Sequence, residues 1–191
     1  TGGLVGLYTE GTRECYFDDI SVKTNRDYVL DRNDTWIREG SPVSGRWSFK
    51  LNTSSEIVGG SGPHFLLSQS DATSQYLFGD PSWQEPIVDL KFKNPNRKGW
   101  VGISFGDIHS GVFNVVRWTA EASLGGERLQ LVKISRGKET VVANSPTNAG
   151  NGEWHKLQLD LSESNRVRAY FDGVMKIRVK IDNSERGQLG V

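Results

Sequence analysis

Four side chains in this sequence have the chemistry to contact a ligand from a loop or from a sheet face. Trp83 lies in a polar loop, where a role in a hydrophobic core is difficult to explain. His109 lies in a short loop between two predicted strands, and Arg117 and Trp118 are consecutive, so one of the two must point away from the core. Aromatic faces and fixed polar groups of this kind bind sugars. We predict these four residues as ligand contacts, with ordinary surface positions as the alternative.

The acidic residues and histidines do not form a recognisable catalytic pattern. Glycoside hydrolysis needs two carboxylates that flank the scissile bond. The nearest such pair along one strand, Glu85 and Asp89, has Pro86 between its members, which would disturb a central strand. The three histidines are scattered along the sequence. We therefore predict a protein that is not an enzyme, and we expect no zinc site.

The overall charge argues against nucleic acid as a partner. Lysine plus arginine and aspartate plus glutamate number 23 each, so the formal net charge is zero and no global field attracts a polyanion. No stretch has the roughly 20 apolar residues of a membrane-spanning helix. We expect a soluble chain without nucleic-acid binding or membrane insertion, whose export signal is removed or lies upstream.

Cysteine usage and glycosylation motifs bear on the cellular location. Cys15 is the one cysteine, so no internal disulfide can form and the redox compartment is not indicated. Two Asn-x-Ser/Thr triplets begin at Asn33 and Asn52. Such triplets accept glycans in the eukaryotic secretory pathway and also arise by chance. We expect an extracellular or cell-surface protein.

The hydrophobic pattern predicts an all-β fold. No segment has an apolar repeat of 3.6 residues over three turns, whereas short β-branched and aromatic runs bounded by Gly, Asn, Pro and Ser recur along the chain. Many short antiparallel strands without crossover helices favour a two-sheet antiparallel β-sandwich of jelly-roll type. The predicted strands are Gly3–Tyr8, Glu14–Val22, Gly45–Asn52, His64–Ser68, Ser74–Phe78, Ile87–Lys93, Gly99–Phe105, Gly111–Trp118, Arg128–Ser135, Glu139–Ala143, Glu153–Leu161, Arg166–Phe171, Val174–Ile181 and Gln188–Val191.

Three local patterns are the clearest. Asp172-Gly173 joins two predicted strands and is the dipeptide that most readily supplies the positive φ angles of a tight hairpin turn, and Gly137 is predicted to turn the preceding hairpin. In the run 154–161, three leucines alternate with Trp154 and polar residues, so the leucines are predicted to face the core. The tryptophans within predicted strands are expected to pack in the core or at its rim: Trp47, Trp100 and Trp154.

The order of several segments resembles the concanavalin A-like superfamily, which includes laminin-G-like domains and families of carbohydrate-binding module. The resemblance covers residues 36–191 and implies a sandwich of about this size. The segments that carry it are Gly99-Trp100-Val101-Gly102-Ile103-Ser104-Phe105, Phe113-Asn114-Val115-Val116-Arg117-Trp118, Leu129-Gln130-Leu131-Val132, Gly152-Glu153-Trp154-His155-Lys156-Leu157 and Arg168-Ala169-Tyr170-Phe171-Asp172-Gly173.

The first 22 residues are similar to the strand that closes a domain of this superfamily. Either residues 1–22 finish a preceding repeat of a tandem array, or the domain is circularly permuted. In both cases we expect this segment to dock on the remainder of the chain, because an unpaired sheet edge is unfavourable. The predicted organisation is a closing strand segment at 1–22, a linker at 23–35 and a β-sandwich body at 36–191, which together form one domain.

The resemblance also implies a structural calcium ion. In related carbohydrate-binding modules, a carboxylate in the closing strand and a group near the start of the domain hold calcium. The positions that match them in this sequence are Asp18 or Asp19 in the closing strand and Glu39 near the start of the domain. Asp19 is preferred to Asp18 because alternation puts it on the same face as Phe17. The alternative is that both aspartates face solvent or bond to turns.

The resemblance implies a non-catalytic carbohydrate-binding or adhesion module of a larger extracellular protein, which would bind a glycan or polysaccharide on a concave sheet face or at the loop rim. The alternative is a laminin-G-like domain that binds a protein partner or serves as a spacer. A polysaccharide-active enzyme is the third hypothesis, and two carboxylates within about 5 to 10 Å in a cleft would favour it.

Overall fold

A computed structural model describes residues 5–24, 28–30, 40–51, 64–69, 72–79, 83, 85–149, 153–163 and 165–181 of the chain. These residues form strands and one turn of 3₁₀ helix at Ala122–Leu124, and no helix among them is long and apolar enough to cross a membrane. The strands are β1 Val5–Glu10, β2 Cys15–Lys23, β3 Tyr28–Leu30, β4 Ser41–Ser44, β5 Arg46–Leu51, β6 His64–Gln69, β7 Ser74–Phe78, β8 Ile87–Lys93, β9 Trp100–Asp107, β10 Val112–Thr119, β11 Arg128–Ser135, β12 Lys138–Pro146, β13 His155–Asp160, β14 Arg166–Phe171 and β15 Val174–Lys180.

The strands form two antiparallel sheets that pack face to face. The first sheet has the order β12-β11-β10-β9-β1-β7-β4, and the second has the order β15-β14-β13-β8-β2-β6-β5, with β3 paired to β2. Buried side chains from both sheets form one hydrophobic core between them. The predicted two-sheet antiparallel β-sandwich is therefore confirmed, while its jelly-roll type stays a prediction.

The inner faces are built by residues that alternate along each strand. In β8 every second residue is buried, and Val88, Leu90 and Phe92 are fully buried between the sheets. Leu157 and Leu159 of β13 are also fully buried, which confirms the alternation predicted for this strand. Truncating one such leucine to alanine typically destabilises a protein by about 2–5 kcal/mol.

The first sheet is buried on its outer face as well. A second apolar cluster lies there, formed by side chains that alternate with the inner core residues: Tyr8, Leu77, Trp100, Ile108, Phe113, Val115, Val132 and Ile134. Because side chains on both faces are buried, strands such as β9 and β10 are buried along almost their whole length. The outer face of the first sheet thus carries more buried apolar side chains than an outer sheet face usually does.

The N-terminal segment lies in the interior of both sheets. β1 pairs with β7 and β9, and β2 pairs with β6 and β8. The segment therefore docks on the remainder of the chain, although its equivalence to the closing strand of a family stays a prediction. β3 falls within the predicted linker 23–35, and neither β3 nor β4 was predicted from the sequence. The predicted strand Gln188–Val191 lies outside the described residues.

The two predicted hairpins are confirmed. Asp172 and Gly173 have φ angles of 47° and 79°, and β14 and β15 pair directly on either side of them. Arg136 and Gly137 likewise have φ angles of 52° and 78° between β11 and β12.

Candidate functional site

The four predicted ligand residues do not come together in one place. Val5 of β1 is opposite both Phe78 at the end of β7 and Phe105 near the end of β9, so the loops that carry Trp83 and His109 lie at the same end of the sandwich. Arg117 and Trp118 lie near the other end of β10 and on its two opposite faces. The structure thus divides the four residues among an end loop region, a sheet face and the core.

Trp118 is a core residue. Its side chain belongs to the core between the sheets and is 2% exposed. Its Nε1 donates a hydrogen bond to Thr147 Oγ1 at 2.9 Å, and its ring stacks on Phe171 with centroids 5.6 Å apart. A ring packed in this way has no free face for a ligand. The alternation argument was correct that one of the two neighbours faces outward, and that neighbour is Arg117.

Trp83 and His109 remain ligand candidates with different surroundings. β7 belongs to the first sheet and β8 to the second. Trp83, between them in the sequence, is a partly buried side chain that packs against the core. Its ring lies over Gly79, where an added Cβ would be 2.4 Å from it. His109 is exposed in the turn between β9 and β10, which Asp107 closes by accepting the Ser110 N–H at 3.1 Å.

Arg117 lies at the centre of a polar cluster on the outer face of the first sheet. Its Nη1 donates to Glu10 Oε2 at 3.1 Å and to Glu139 Oε1 at 2.9 Å, and its Nη2 donates to Glu139 Oε2 at 2.7 Å. Its guanidinium lies 4.2 Å from the centroid of the Trp100 ring. Tyr8 Oη donates to Glu10 Oε2 at 2.6 Å. We call Tyr8, Glu10, Trp100, Arg117 and Glu139 the Arg117 cluster.

Burial and charge act together within the Arg117 cluster. The pKa of Tyr8 is raised well above its usual range, first by burial of the phenol and then by its hydrogen bond to Glu10. Burial alone would lower the pKa of Arg117, but the hydrogen bonds and charge of Glu139 outweigh burial and raise it. Tyr8 and Arg117 are therefore held as a neutral donor and a fixed cation.

The ion pair between Arg117 and Glu139 requires the first sheet to curl towards its outer face. Glu139 is opposite Ile134 of β11, which is opposite Phe113 of β10, so Glu139 lies two strands and four residues away from Arg117. On a flat sheet this offset would separate the two Cα atoms by roughly 17 Å, which is farther than an arginine and a glutamate side chain reach together. This part of the outer face is therefore concave.

A row of four polar residues and one glycine crosses the concave face through Arg117. The pairing register puts Gln75, Tyr8, Gly102, Arg117 and Gln130 directly beside one another on five neighbouring strands. The backbones of β9 and β10 approach closely at Gly102, where an added Cβ would be 2.1 Å from the Val116 carbonyl oxygen. We call this line of residues the polar row.

The polar row contains buried hydrogen-bonding atoms without a partner. Within the described part of the chain, Gln75 Nε2, Arg117 Nε and Gln130 Oε1 are buried and make no hydrogen bond, and neither does Ser104 Oγ on the same face. Each such atom typically destabilises a fold by about 1–3 kcal/mol. Proteins keep groups of this kind where water or a ligand pairs with them.

The carboxylates of Glu10 and Glu139 are close enough to be compared with a glycosidase pair. Both bind the same Nη1 of Arg117, so the two oxygens are at most about 6 Å apart, which is near the separation in retaining enzymes. However, the guanidinium lies between them, in the space that a scissile bond would need. The separation favours the enzyme hypothesis, whereas the position of Arg117 argues against it, and the absence of enzyme activity stays a prediction.

Two of the three predicted calcium residues, Asp18 and Asp19, lie at a bulge in β2. The bulge interrupts the pairing of β2 with β8 after Asp18, and Asp19 has a φ of 49°. Asp19 Oδ2 lies 2.6 Å from Lys91 Nζ on the outer face of the second sheet, whereas Phe17 is buried in the core. The prediction that Asp19 shares a face with Phe17 is therefore wrong, because a bulge breaks the two-residue alternation.

These residues do not by themselves make a calcium site. Asp18 Oδ1 accepts the N–H of Asp19 at 2.8 Å, and Lys91 neutralises Asp19. Calcium takes six to eight oxygen ligands, and the described ranges contain no cluster of three acidic, histidine or cysteine side chains able to hold a metal. Glu39 lies outside the described residues, so calcium stays a prediction.

The residues of the polar row and the Arg117 cluster were missed by the sequence analysis, except for Arg117. A strand extended to Glu10 would have put Glu10 on the face of Tyr8, since the two are separated by one residue. No local signal shows that Gln75, Gln130 or Glu139 lies beside them. Comparisons of the chain with protein-family models, curated proteins and solved structures found no match.

Proposed function

We propose that this chain is a carbohydrate-binding module whose ligand lies across the polar row on the concave face of the first sheet. The observation that carries the proposal is the set of unpaired donor and acceptor atoms in that row and at Ser104 beside it, which are buried in the structure and which a ligand would reach after the side chains above them move. Gln75 Nε2 and Arg117 Nε can only donate, Gln130 Oε1 can only accept, and Ser104 Oγ can do both. Sugar hydroxyls also donate and accept, so a polyhydroxylated ligand matches this set.

The Arg117 cluster would fix the orientation of such a ligand. Glu10 and Glu139 offer carboxylate oxygens that are partly exposed, and carboxylates accept strong hydrogen bonds from hydroxyl groups. The Trp100 ring is covered by the guanidinium of Arg117, so the sugar contacts in this proposal are mainly polar. Trp83 and His109 at the end of the sandwich would contact the ligand only if it extends beyond the face.

The proposal includes the setting of the module. We propose an extracellular or cell-surface location in a larger protein with tandem copies and a role in adhesion, for which the two glycosylation triplets are modest support. Tandem copies would raise avidity without tighter single sites. A structural calcium ion belongs to this proposal as an untested component.

A glycan-array screen of the purified chain, run with calcium and again with a chelator, tests the ligand class and the metal together. For the best glycan, calorimetry then compares Gln130→Ala with Gln158→Ala. Gln158 is a matched control because it lies on the outer face of the other sheet and donates to Asp89 at 2.9 Å. We expect about a tenfold loss of affinity for Gln130→Ala, as for one hydrogen bond, and no change for the control.

Two results would contradict the proposal. A folded chain that binds no glycan under either condition would reject the ligand class. Equal affinities of Gln130→Ala, Gln158→Ala and the unmodified chain would reject the polar row as the site, even if a glycan binds elsewhere. Binding that is lost on chelation would support calcium, and binding that persists would argue against it.

A protein-interaction domain is the second candidate, and exposed apolar residues at the sheet edges favour it. Val141 and Val142 of β12 and Val174 and Met175 of β15 are 42–56% exposed. β12 and β15 are edge strands in the orders of the two sheets and lie close to each other. Apolar side chains grouped at the surface are typical of interaction sites. Analytical ultracentrifugation measures whether the chain self-associates and whether Val142→Asp abolishes this association. Such a result, together with a negative glycan screen, would favour this candidate.

A further inference from the structure

Two pairs of like charges lie directly opposite each other at the edge of the second sheet. Arg166 of β14 is opposite Lys180 of β15, and Arg168 is opposite Arg178. The β14 residues on either side of Arg168 are fully buried in the core, so all four basic side chains lie on the outer face. We call Arg166, Arg168, Arg178 and Lys180 the basic block.

The two arginines of β14 are held in place by the turn before the strand. Glu163 accepts from Arg166 Nη1 at 2.7 Å and from Arg168 Nη1 at 2.8 Å. Arg168 Nη2 also lies 2.8 Å from Asp160 Oδ2 and donates to Ser162 Oγ at 2.9 Å. These contacts fix the positions of both guanidinium groups before any ligand arrives.

Among the described residues, none neutralises the two basic residues of β15 in this way. Arg178 and Lys180 are exposed, and no carboxylate of the described ranges lies within ion-pair distance of either. The charge of Arg178 nevertheless acts on Glu163. The pKa of Glu163 is lowered chiefly by the hydrogen bond from Arg166, and Arg178 adds to this effect. The basic block therefore combines four positive charges with two carboxylates, and its positive excess lies on β15.

Such an arrangement is unfavourable for the sheet alone. Like charges directly opposite each other destabilise an antiparallel pair, whereas opposite charges stabilise it. An anion over the basic block would remove this repulsion. Guanidinium groups bind sulfate and carboxylate through two parallel hydrogen bonds, and lysine adds a point charge.

We propose that the basic block binds an acidic polysaccharide through its sulfate or carboxylate groups, at a site independent of the concave face. The charges form an array rather than one point, since they repeat at about 7 Å along each strand and about 5 Å between strands. An array of this size matches a chain with an anionic group on successive sugar units better than it matches a single small anion. The zero net charge of the whole chain does not oppose this, because binding depends on the local charge.

Calorimetry with dextran sulfate, at low and at moderate salt, tests the proposal. Unsulfated dextran of the same length is the ligand control. We expect the unmodified chain to bind the sulfated polymer, with an affinity that falls as salt increases. The double variant R178A/K180A should lose at least tenfold in affinity. The variant R13A/K98A is the matched control, because it also removes two exposed positive charges, in the loops that follow β1 and β8, and it should bind normally.

The outcomes of this test can be distinguished from those of the glycan-binding test at the concave face. Circular dichroism and the midpoint of thermal unfolding establish that R178A/K180A is folded, and a glycan bound at the polar row should bind this variant unchanged. Equal loss in R178A/K180A and R13A/K98A would overturn the proposal, because the effect would then be one of net charge. Poly-glutamate that binds the basic block as tightly as dextran sulfate would overturn it in favour of an acidic peptide.

Discussion

The outer faces of the two sheets both carry ion pairs, but water reaches them to different degrees. The side chain of Arg117 on the first sheet is 5% exposed between its two glutamates. On the second sheet, Lys156 is 51% exposed beside Asp89, and Lys91 is 36% exposed beside Asp19. The same chemical contact is thus buried on one face and hydrated on the other.

This difference separates polar groups that need a partner from those that do not. For the pairs Lys156–Asp89 and Lys91–Asp19 on the second sheet, water can hydrate a lysine whose ionic partner moves away, so these two ion pairs contribute little to stability. On the first sheet, Arg117 and its neighbours have been removed from water, and any unpaired atom there is unfavourable. Unpaired atoms on the buried face are therefore the stronger indication of a ligand.

The largest effect is expected from Arg117→Met. This change keeps the stem that covers Trp100 but leaves Glu10 and Glu139 without their cation. We expect a loss of about 2 kcal/mol in the free energy of unfolding, typical of lost hydrogen bonds to a charged group, because Glu10 and Glu139 are more than a third exposed and water stabilises them in part. The matched change Lys156→Met on the hydrated face should cost less than about 1 kcal/mol. Urea unfolding measures both, and equal losses would contradict the comparison.

A smaller effect is expected from Glu139→Gln. The amide can keep one hydrogen bond to the guanidinium, and Glu10 still neutralises part of its charge. We expect a loss of about 1.5 kcal/mol, typical of a hydrogen bond to a charged group. Asp89→Asn on the second sheet is the control and should change stability by less than about 0.5 kcal/mol. A larger loss for the control would show that exposure does not decide the strength of these pairs.

Arg178→Glu should stabilise the chain. The change turns a like-charge pair with Arg168 into an opposite-charge pair across β14 and β15. We expect a gain of about 0.2–1 kcal/mol, together with loss of dextran sulfate binding. Thermal unfolding at low salt shows whether the variant is more or less stable than the unmodified chain, and high salt should reduce the gain in stability. A destabilised variant would mean that Arg178 is already neutralised in the folded chain.

The smallest effect is the pH dependence due to Glu163. Its folded-state pKa is lowered, chiefly by the hydrogen bond from Arg166, so its stabilising contribution is present above the unfolded pKa, about 4.3, and is lost as the pH falls through the folded value. The stability difference between the unmodified chain and Glu163→Gln should thus be largest near neutral pH and shrink in acid. Denaturant unfolding at a series of pH values measures it, and a difference independent of pH would contradict the assignment.

Much of the fold could be predicted, because its signals are local. Asp172-Gly173 needs only its own positive φ angles to turn a hairpin, and the leucines of β13 need only the two-residue period of a strand. Of the predicted ligand contacts, Arg117 lies in the candidate site and stays a prediction as a ligand contact. Trp118 lies in the core, and its position could not be predicted because alternation alone does not say which neighbour faces the core.

The sequence by itself determined that the chain is all-β, which residues alternate along most strands and where two tight turns occur. Only the tertiary structure decided which strands are neighbours, and so joined Gln75, Tyr8, Arg117 and Gln130 in one row. The bulge that moved Asp19 to the outer face was also decided there. The physical reason is that alternation and turn formation depend on adjacent residues, whereas strand order and register depend on burying the whole set of apolar faces together.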